Sequence, residues 1–246
     1  MTRILITGGC GFIGSNLTEF LIKNTDWNIN ILDNLMTGRL KNIENIEDNN
    51  KRITFCEGDI RNFEDINNSM KDCKYVVNLA AQTSVLNSIE NPYTDEDINV
   101  KGVLNLLESV IRFGVKKFVH ASSAATLGEQ EMPIDELKVP KPISPYGASK
   151  LAGEAYCSAY STSKEINTVV LRFSNVYGPK SDHKNSVIAK FIKQTFEEET
   201  LTVYGDGGQT RDFLHVKDVC QGIFLAITKK IGSYSVIQLG TGKETS

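Results

Sequence analysis

The sequence predicts an α/β fold with a doubly wound parallel sheet that is covered by helices on both faces. Two observations lead to this prediction. Strand-like apolar runs alternate with segments of helical spacing through the first 173 of the 246 residues, as expected for successive βαβ units. A glycine-rich segment also lies where the first predicted strand meets the first predicted helix. The 40% of hydrophobic residues is enough for a sizeable core.

Each element follows from the spacing of its apolar residues. The first helix, for example, carries Phe12, Leu17 and Leu21 on one side. The predicted strands of this part are residues 3–7, 28–33, 53–57, 75–79, 117–121 and 167–173. The predicted helices are residues 12–24, 63–70, 97–113 and 146–162. The Asn-rich stretch 42–50 is expected to be a polar loop with a short helical turn.

The pattern is looser after residue 173. It predicts helices at 186–198 and 216–228 and short strands at 201–204 and 235–239. We therefore expect residues 174–246 to form a small cap over the carboxyl ends of the sheet strands. The chain ends in a loop that carries a helix-start signal, so we expect this region to be truncated at its C-terminus.

Composition excludes several classes of protein. A formal net charge of −3 argues against a nucleic-acid partner, whose phosphates favour a basic surface. Five cysteines with no C-x-x-C pair predict neither a disulfide framework nor a metal site, and they favour a reducing compartment. The N-terminus lacks the pattern of a signal peptide, and no apolar run approaches the roughly 20 residues of a membrane helix. We therefore expect a cytoplasmic protein without a membrane partner.

The glycine-rich segment GGCGFIG has glycines at positions 8, 11 and 14. Gly8 permits a tight turn, Gly11 lets the backbone approach a pyrophosphate, and Gly14 allows the helix to pack closely on the sheet. The N-terminus of the helix offers N–H groups and a positive dipole end to phosphates. Because the segment joins a strand to a helix, it predicts a Rossmann-type dinucleotide-binding domain over residues 1–173.

An acidic residue specifies the dinucleotide. Asp33 ends the second predicted strand, 19 residues after Gly14. A carboxylate there suits a free 2′-hydroxyl and repels a 2′-phosphate, so it predicts NAD rather than NADP. The segment Gly-Asp-Ile at 58–60 follows the third strand and is placed to contact the adenine. The alternative, in which the glycines are ordinary turn residues and Asp33 is a helix cap, is disfavoured by this context.

Tyr146 and Lys150 lie four residues apart near the start of a predicted helix, so both side chains share one face. A tyrosine titrates near pKa 10. An ammonium about 4 Å away at an effective dielectric of about 20 contributes roughly 4 kcal/mol, enough to bring that pKa towards 7. The pair is therefore a candidate general base. Alone, it would more often be a surface Tyr and Lys; downstream of a dinucleotide loop, the catalytic interpretation is favoured.

Over nearly its whole length the sequence resembles the extended short-chain dehydrogenase/reductase family, and within it the NAD-dependent nucleotide-sugar epimerase/dehydratase group. Nine segments carry the resemblance. They are 7–14 (TGGCGFIG), 33–35 (DNL), 58–60 (GDI), 78–82 (NLAAQ), 99–102 (NVKG), 122–124 (SSA), 146–150 (YGASK), 172–179 (RFSNVYGP) and 205–213 (GDGGQTRDF).

The resemblance implies a mechanism. Tyr146 would take the proton from a sugar hydroxyl, Lys150 would lower the pKa of Tyr146 and hold the nicotinamide ribose, and Ser123 would hydrogen-bond the same sugar oxygen. The sugar carbon would give a hydride to NAD, and the 4-keto sugar would rotate and take the hydride back. This is the chemistry of a UDP-hexose 4-epimerase. The predicted catalytic residues are Ser123, Tyr146 and Lys150.

The resemblance also completes the predicted binding sites. Asn175 and Arg211 would meet the nucleotide diphosphate, for which the planar guanidinium fork of arginine is suited. The alternative for Arg211 is a surface ion pair with Asp212 or Asp218. The cofactor-binding residues are Gly8, Gly11, Phe12, Ile13, Gly14, Asp33, Asn34, Asp59, Ile60, Leu79, Ala80, Ala81, Asn99, Tyr146 and Lys150. The substrate-binding residues are Ser84, Ser123, Tyr146, Asn175 and Arg211.

One departure from the family narrows the activity. Ala124 and Ala125 follow Ser123, where the 4,6-dehydratases carry an acidic side chain. This disfavours a dehydratase. A nucleotide-sugar dehydratase or 4-keto-sugar reductase of the same family and an NAD-binding protein without catalysis stay open as alternatives. Family members commonly dimerise through the two long helices, so we expect a homodimer through residues 97–113 and 146–162.

Overall fold

The computed structural model describes residues 1–48, 51–182, 186–203 and 205–246. Its strands alternate with helices along most of the chain. The strands are β1 (Arg3–Thr7), β2 (Asn28–Asp33), β3 (Ile53–Glu57), β4 (Tyr75–Asn78), β5 (Lys117–Ser123), β6 (Thr168–Phe173), β7 (Asn175–Tyr177), β8 (Phe213–His215) and β9 (Tyr234–Leu239).

The α-helices differ widely in length. They are α1 (Phe12–Asn24), α2 (Lys41–Glu44), α3 (Phe63–Met70), α4 (Val85–Glu90), α5 (Pro92–Glu96), α6 (Gly102–Arg112), α7 (Pro145–Ser163), α8 (Val187–Phe196) and α9 (Val216–Thr228). A π-helical turn, Asp97–Lys101, joins α5 to α6, and a 3₁₀ turn, Ala124–Thr126, follows β5.

Within the described residues, the main sheet has seven parallel strands in the order β3-β2-β1-β4-β5-β6-β9. The chain builds outward from β1 in one direction and then returns to add β4 on the other side. In open α/β sheets, ligands bind at the carboxyl ends of the strands where the order reverses. The sequence prediction of a doubly wound parallel sheet is therefore confirmed, and the reversal between β1 and β4 positions the site.

Hydrophobic residues cover both faces of the sheet. In β1, Ile4 and Ile6 belong to the cluster under α1 and α9, whereas Leu5 points into the cluster under α3 and α6. All three are fully buried. Strands buried on both faces read as continuous apolar runs, which is why the sequence marks them clearly.

Several predicted elements differ from the structure. The strand predicted at 201–204 is wrong for residues 201–203, which form no strand, and Tyr204 lies outside the described residues. Leu201 and Val203 are exposed, and an apolar β-prone segment forms a strand only where it finds a partner. The strand predicted at 117–121 continues to Ser123 because β6 pairs with it that far.

The region from 42 to 50 also differs in part. It begins inside a short helix, α2, which agrees with the expected helical turn but starts one residue earlier, and Asn49 and Asn50 lie outside the described residues.

The segment after residue 173 is divided between two places. β7 and β8 form a separate two-stranded parallel sheet. β9 instead pairs with β6 at the edge of the main sheet, and α9 packs beside α1. The expected boundary between a domain at 1–173 and a cap at 174–246 therefore does not coincide with the edge of the sheet, and that division stays a prediction.

Other features bear on the classes of site considered. The five cysteines are all free thiols. No group of three or more His, Cys, Asp or Glu side chains in the described part of the chain is placed to hold a metal ion. Among the helices in these ranges, none combines the length and apolar character that crossing a membrane requires.

Candidate functional site

A cleft of about 620 Å³ lies at the carboxyl ends of the strands, where the sheet order reverses. It brings together almost every predicted site residue. Those lining it are Gly8, Gly11, Phe12, Ile13, Gly14, Asp33, Asn34, Asp59, Ile60, Leu79, Ala80, Ala81, Ser84, Ser123, Tyr146, Lys150, Asn175 and Arg211. The predicted residue that does not line it is Asn99.

The glycine segment forms a narrow cradle at the start of α1. Gly8 has a φ of +69°, and a Cβ there would lie 2.7 Å from the backbone nitrogen of Ala80. A Cβ on Gly14 would lie 2.3 Å from the carbonyl oxygen of Gly8. α1 begins after Gly11 with no side chain capping its N-terminus. A positive helix end without a side-chain cap, facing a cleft, suits a pyrophosphate, so this part fits a dinucleotide.

Asp33 is held rigidly at the end of β2. Its carboxylate accepts hydrogen bonds from the backbone N–H groups of Cys10 and Leu35, both at 2.9 Å. A Cβ on Gly38 would lie 2.9 Å from either carboxylate oxygen, so the loop after β2 packs closely against it. Burial raises the pKa of Asp33, and the two backbone hydrogen bonds oppose that shift. The fixed carboxylate is placed as a partner for a ribose hydroxyl.

Asp59 follows β3 on the same side of the cleft. Its carboxylate accepts hydrogen bonds from Arg61 at 2.8 and 3.0 Å and from Asn34 at 2.8 Å. The hydrogen bonds from Arg61 lower the pKa of Asp59 to about 2. Asp59 is therefore ionised and oriented at neutral pH, as an acceptor in a nucleotide-binding wall requires.

Ser123 and the start of α7 meet at the middle of the cleft. The side chain of Ser144 accepts a hydrogen bond from the N–H of Gly147 at 3.1 Å, which caps α7 at its N-terminus. A Cβ on Gly147 would lie 2.5 Å from the carbonyl oxygen of Ala125. The glycine thus lets the helix approach the turn after Ser123, and Tyr146 comes to lie beside that serine.

The pKa values of the pair differ from the sequence expectation. Burial raises the pKa of Tyr146, and its hydrogen bond with Ser123 opposes that shift. Burial lowers the pKa of Lys150 to about 8. The predicted lowering of the Tyr146 pKa by Lys150 is therefore wrong for the protein alone. The attraction of the Lys150 ammonium for a Tyr146 phenolate is outweighed by the cost of moving that phenolate out of water.

Asn175 and Arg211 occupy the other half of the cleft. Asn175 begins β7, and the backbone of Arg211 pairs with that of Thr245 through two hydrogen bonds of 2.9 Å. Arg211 is exposed, and within the described part of the chain its guanidinium bonds only neighbours in sequence, the carbonyl oxygen of Thr210 at 2.7 Å and Gln209 at 3.3 Å. The carboxylate of Asp212 is instead bonded to Thr241.

The alternative of a surface ion pair for Arg211 is therefore not observed among the described residues. Arg211 lines the cleft, and a guanidinium carries five N–H donors.

Asn99 lies behind the wall of the cleft and is 1% exposed. Its side-chain amide donates to the carbonyl oxygen of Gln82 at 3.0 Å, to Asp95 at 3.1 Å and to Ser149 at 3.2 Å. It therefore supports the segment after β4 and the start of α7. Two residues of the site were not predicted from the sequence. One is Asp95, and the other is Ser88, whose hydroxyl oxygen accepts a hydrogen bond from the backbone N–H of Tyr146 at 3.1 Å. The spacing of four residues from Asp95 to Asn99 was a usable signal; Ser88 had none.

A Rossmann-type sheet with a tyrosine and a lysine facing its dinucleotide cradle defines a class of proteins that exchange hydride between a bound nicotinamide and a substrate. Residues 4–240 match the family described as the NAD dependent epimerase/dehydratase family, and the chain belongs to it. The cofactor predicted from Asp33, NAD, is that of this family.

The similar proteins include two kinds of sugar-nucleotide enzyme. A putative UDP-glucose 4-epimerase of Methanocaldococcus jannaschii is 42% identical, over 99% of this chain and 78% of its own. The UDP-N-acetylglucosamine 4-epimerase of Methanobrevibacter ruminantium M1, in complex with UDP-N-acetylmuramic acid, has a TM-score of 0.93 at 33% identity. That match covers 99% of this chain and 78% of the other. The dTDP-glucose 4,6-dehydratase of Streptomyces venezuelae with NAD bound has a TM-score of 0.91 at 29% identity, and the match covers 99% of this chain and 77% of that one.

These likenesses confirm the predicted family and fold. Epimerases and a dehydratase are about equally close in structure, so likeness alone does not separate the two reactions.

Proposed function

We propose that the protein is an NAD-dependent 4-epimerase that interconverts UDP-hexoses through a transient 4-keto sugar. The observation that carries the proposal is the meeting of Ser123, Tyr146 and Lys150 with the dinucleotide cradle in one cleft. A non-catalytic NAD-binding protein would have no use for a buried lysine one helical turn from a half-buried tyrosine, because a buried ammonium is costly to maintain.

Each of the three side chains has a part in the reaction. NAD, when bound, accepts a hydride from the sugar carbon and returns it, and its cationic ring favours the ionised form of a nearby tyrosine. The hydroxyl oxygen of Tyr146 takes the proton of the sugar 4-hydroxyl and later gives it back. Ser123 hydrogen-bonds Tyr146 and orients the same sugar oxygen. Lys150 places a positive charge behind the developing phenolate.

The residues after Ser123 favour epimerisation over elimination of water. Ala124 and Ala125 form a 3₁₀ turn that begins directly after the serine. Their methyl groups cannot transfer protons, whereas a 4,6-dehydratase of the resembling family has an acidic side chain in this segment. The absence of a proton donor at Ala124 and Ala125 supports the return of the hydride to the same carbon as the fate of the keto sugar.

The second half of the cleft is suited to the diphosphate. Arg211 and Asn175 both line the cleft, and both are exposed. Arginine pairs bidentately with phosphate oxygens. We propose that these two residues bind the diphosphate of the sugar nucleotide, and that Ser84, which caps α4 at the cleft, contacts the sugar.

We also propose a homodimer through α6 and α7. These helices pack side by side, and the hydroxyl of Tyr160 donates a hydrogen bond to Glu108 across them. Sedimentation of the purified protein should give twice the monomer mass; a monomer over the micromolar range would contradict this proposal.

The activity is tested by incubating the protein and NAD with UDP-galactose and separating the products. UDP-glucose should appear without added NADH and without net change in nicotinamide absorbance. The epimerase proposal fails if UDP-galactose, UDP-glucose and their N-acetyl forms all emerge unchanged from protein that binds NAD. A 4-keto-6-deoxy product would indicate a dehydratase, and net consumption of NADH would indicate a reductase.

Tyr146→Phe tests the proposed base. Turnover should fall by about 10²–10⁴-fold, the usual contribution of a general base, while NAD binding measured by calorimetry stays unchanged. Tyr93→Phe is the matched control, because Tyr93 is 88% exposed, and it should keep full activity. Turnover retained by Tyr146→Phe would remove Tyr146 from this part.

A further inference from the structure

Asp95 is a buried acid to which the chemistry above assigns no part. It lies in the short helix α5 and is 1% exposed. Burying a carboxylate is costly unless it is paired or strongly hydrogen-bonded. Burial raises the pKa of Asp95, and the charge of Lys150 is among the influences that oppose this shift. A carboxylate kept in such a position calls for a partner charge.

Two amide side chains fix Asp95 in place. Its Oδ1 accepts hydrogen bonds from the Nδ2 of Asn99 at 3.1 Å and from the Nε2 of Gln82 at 3.2 Å. The same Asn99 amide reaches Ser149, the residue before Lys150, at 3.2 Å. Gln82 lines the cleft. The carboxylate is therefore tied both to the wall of the cleft and to the first turns of α7.

Among the described residues, Asp95 is placed to act as the counter-charge of Lys150. Its helix α5 packs on α7, which carries Lys150, and the Oδ2 of Asp95 is buried there with no hydrogen-bond partner in the described ranges. Lys150 is 3% exposed, and the influences that oppose its desolvation come from Asp95, Cys157 and Glu154, with Asp95 the largest. Burial raises the pKa of Cys157, so that thiol is neutral. Glu154 is already neutralised by Arg172 in a buried ion pair of 2.7 Å.

The other titratable neighbours do not compete for that position. His120 is fully buried, and burial together with the charge of Lys150 lowers its pKa, so it is neutral at physiological pH. Tyr146 also faces Asp95, whose charge is one of the smaller causes that raise the pKa of the tyrosine.

We propose that Asp95 is a positioning residue: its carboxylate, held by Asn99 and Gln82, keeps the buried side chain of Lys150 charged. This inference rests on the proposed function for its catalytic meaning, but the electrostatic coupling between the two residues exists whatever the substrate. Neutralising Asp95 leaves a buried ammonium without its counter-charge, and Lys150 then loses its proton at a lower pH.

The linkage between protonation and stability has a definite sign. Burial holds the pKa of Lys150 at about 8, below its unfolded value of 10.5. Between these values the unfolded chain binds the extra proton, so the free energy of unfolding gains from Lys150 as the pH rises through about 8. Without Asp95 this gain begins at lower pH. Buried thiols also titrate at alkaline pH, so the Lys150 contribution must be isolated by difference.

The experiment measures unfolding by urea across pH for four proteins: the natural chain, Lys150→Met, Asp95→Asn and the double variant. Subtracting each Lys150→Met protein from its parent cancels the other titrating groups. The difference should begin to rise about one pH unit lower in the Asp95→Asn background. An onset that is unchanged or higher would overturn the proposal.

Two further variants separate charge from structure. Asp97→Asn removes an acid two residues away that pairs with Arg61 and Lys101, and it should leave the onset unchanged. Asp95→Glu keeps the charge and should keep the onset near that of the natural chain. A shift of equal size in either variant would overturn the proposal, and Asp95→Ser takes the place of Asp95→Asn if the amide does not fold.

Activity provides a second, distinguishable readout. The alkaline limb of the pH profile of epimerisation should move in Asp95→Asn in the same direction as the unfolding onset, with KM for the sugar nucleotide little changed. Should the protein prove not to be an epimerase, the unfolding experiment still decides whether Asp95 holds the charge of Lys150.

Discussion

The two halves of the cleft are built in different ways. The cofactor half consists of strand ends and backbone: Gly8 and Gly14 leave no room for a side chain, and Asp33 is locked by two backbone N–H groups. The substrate half consists of exposed side chains, with Asn175 and Arg211 on or beside a sheet of only two short strands. The cofactor half is therefore formed by the packed core itself, whereas the substrate half is formed by side chains on the surface of that core.

This difference indicates how such a fold keeps one cofactor while its relatives act on different sugars. Changing the cofactor half disturbs packing that the whole domain shares. Changing the substrate half alters exposed side chains at small cost to folding, because surface substitutions away from buried features cost little. The predictions below test whether the two halves respond separately.

The largest effect is expected from Gly14→Ala in the cofactor half. The new Cβ would meet the carbonyl oxygen of Gly8 at 2.3 Å and the Cα of Gly9 at 2.6 Å. Because the backbone cannot move aside as a side chain would, the free energy of unfolding should fall by about 3 kcal/mol, the upper end of the usual cost of over-packing. Urea unfolding measures this loss, and NAD binding should fall with it.

Gly232→Ala is the control for that substitution. Its Cβ would lie in ordinary contact with the carbonyl oxygen of Tyr234 at 3.5 Å and the hydroxyl of Ser235 at 3.7 Å, and stability should change by less than about 0.5 kcal/mol. If Gly14→Ala were as stable as this control, the cofactor half would not be the rigid part of the comparison.

Arg211→Ala should change the substrate half alone. Among the described residues its guanidinium bonds Thr210 and Gln209 alone, so stability and NAD affinity should stay as they are. KM for the sugar nucleotide should rise about 10- to 100-fold, the loss of one charged hydrogen-bonding partner. Steady-state kinetics measure KM, and calorimetry measures the NAD affinity. The exposed Lys164→Ala is the control, and an unchanged KM would place the diphosphate elsewhere.

The smallest effect concerns pH and the cofactor half. Hydrogen bonds from Arg61 lower the pKa of Asp59 to about 2, below the ordinary 3.8. The stability that Asp59 supplies is therefore present above about pH 4 and is lost as the pH falls through 2. The free energy of unfolding in urea should be higher for the natural chain than for Asp59→Asn, and this difference should shrink by roughly 1 kcal/mol as the pH falls from about 6 to 3. An advantage of the natural chain that stays constant over this range of pH would contradict the prediction.

The sequence predicts the cofactor half better than the substrate half for a physical reason. β1 alternates Ile4, Leu5 and Ile6 between two buried clusters, and such runs are visible without a structure. β7 and β8 have three residues each, too few for a period to appear. Their pairing depends on where the chain returns, which spacing along the sequence does not encode.

The site divides in the same way. Ser123, Tyr146 and Lys150 are found by motif and come together as expected. The pKa of Tyr146 was predicted in the wrong direction, because a sequence shows which charges are near but not how much water burial removes. Asp95 was missed for a related reason: an acid next to Glu96 and Asp97 looks like part of a solvated helix face until burial is known.

The position of β9 has a consequence for the order in which the chain can fold. β6 is buried along its whole length and pairs with β5 on one edge and β9 on the other. The second partner begins at Tyr234, some 60 residues after β6 ends at Phe173. At the ribosome, which adds about 5–20 residues per second, several seconds pass during which that apolar strand has an open edge. Unpaired edges invite association with other chains, so the interval is one in which a nascent chain benefits from a chaperone.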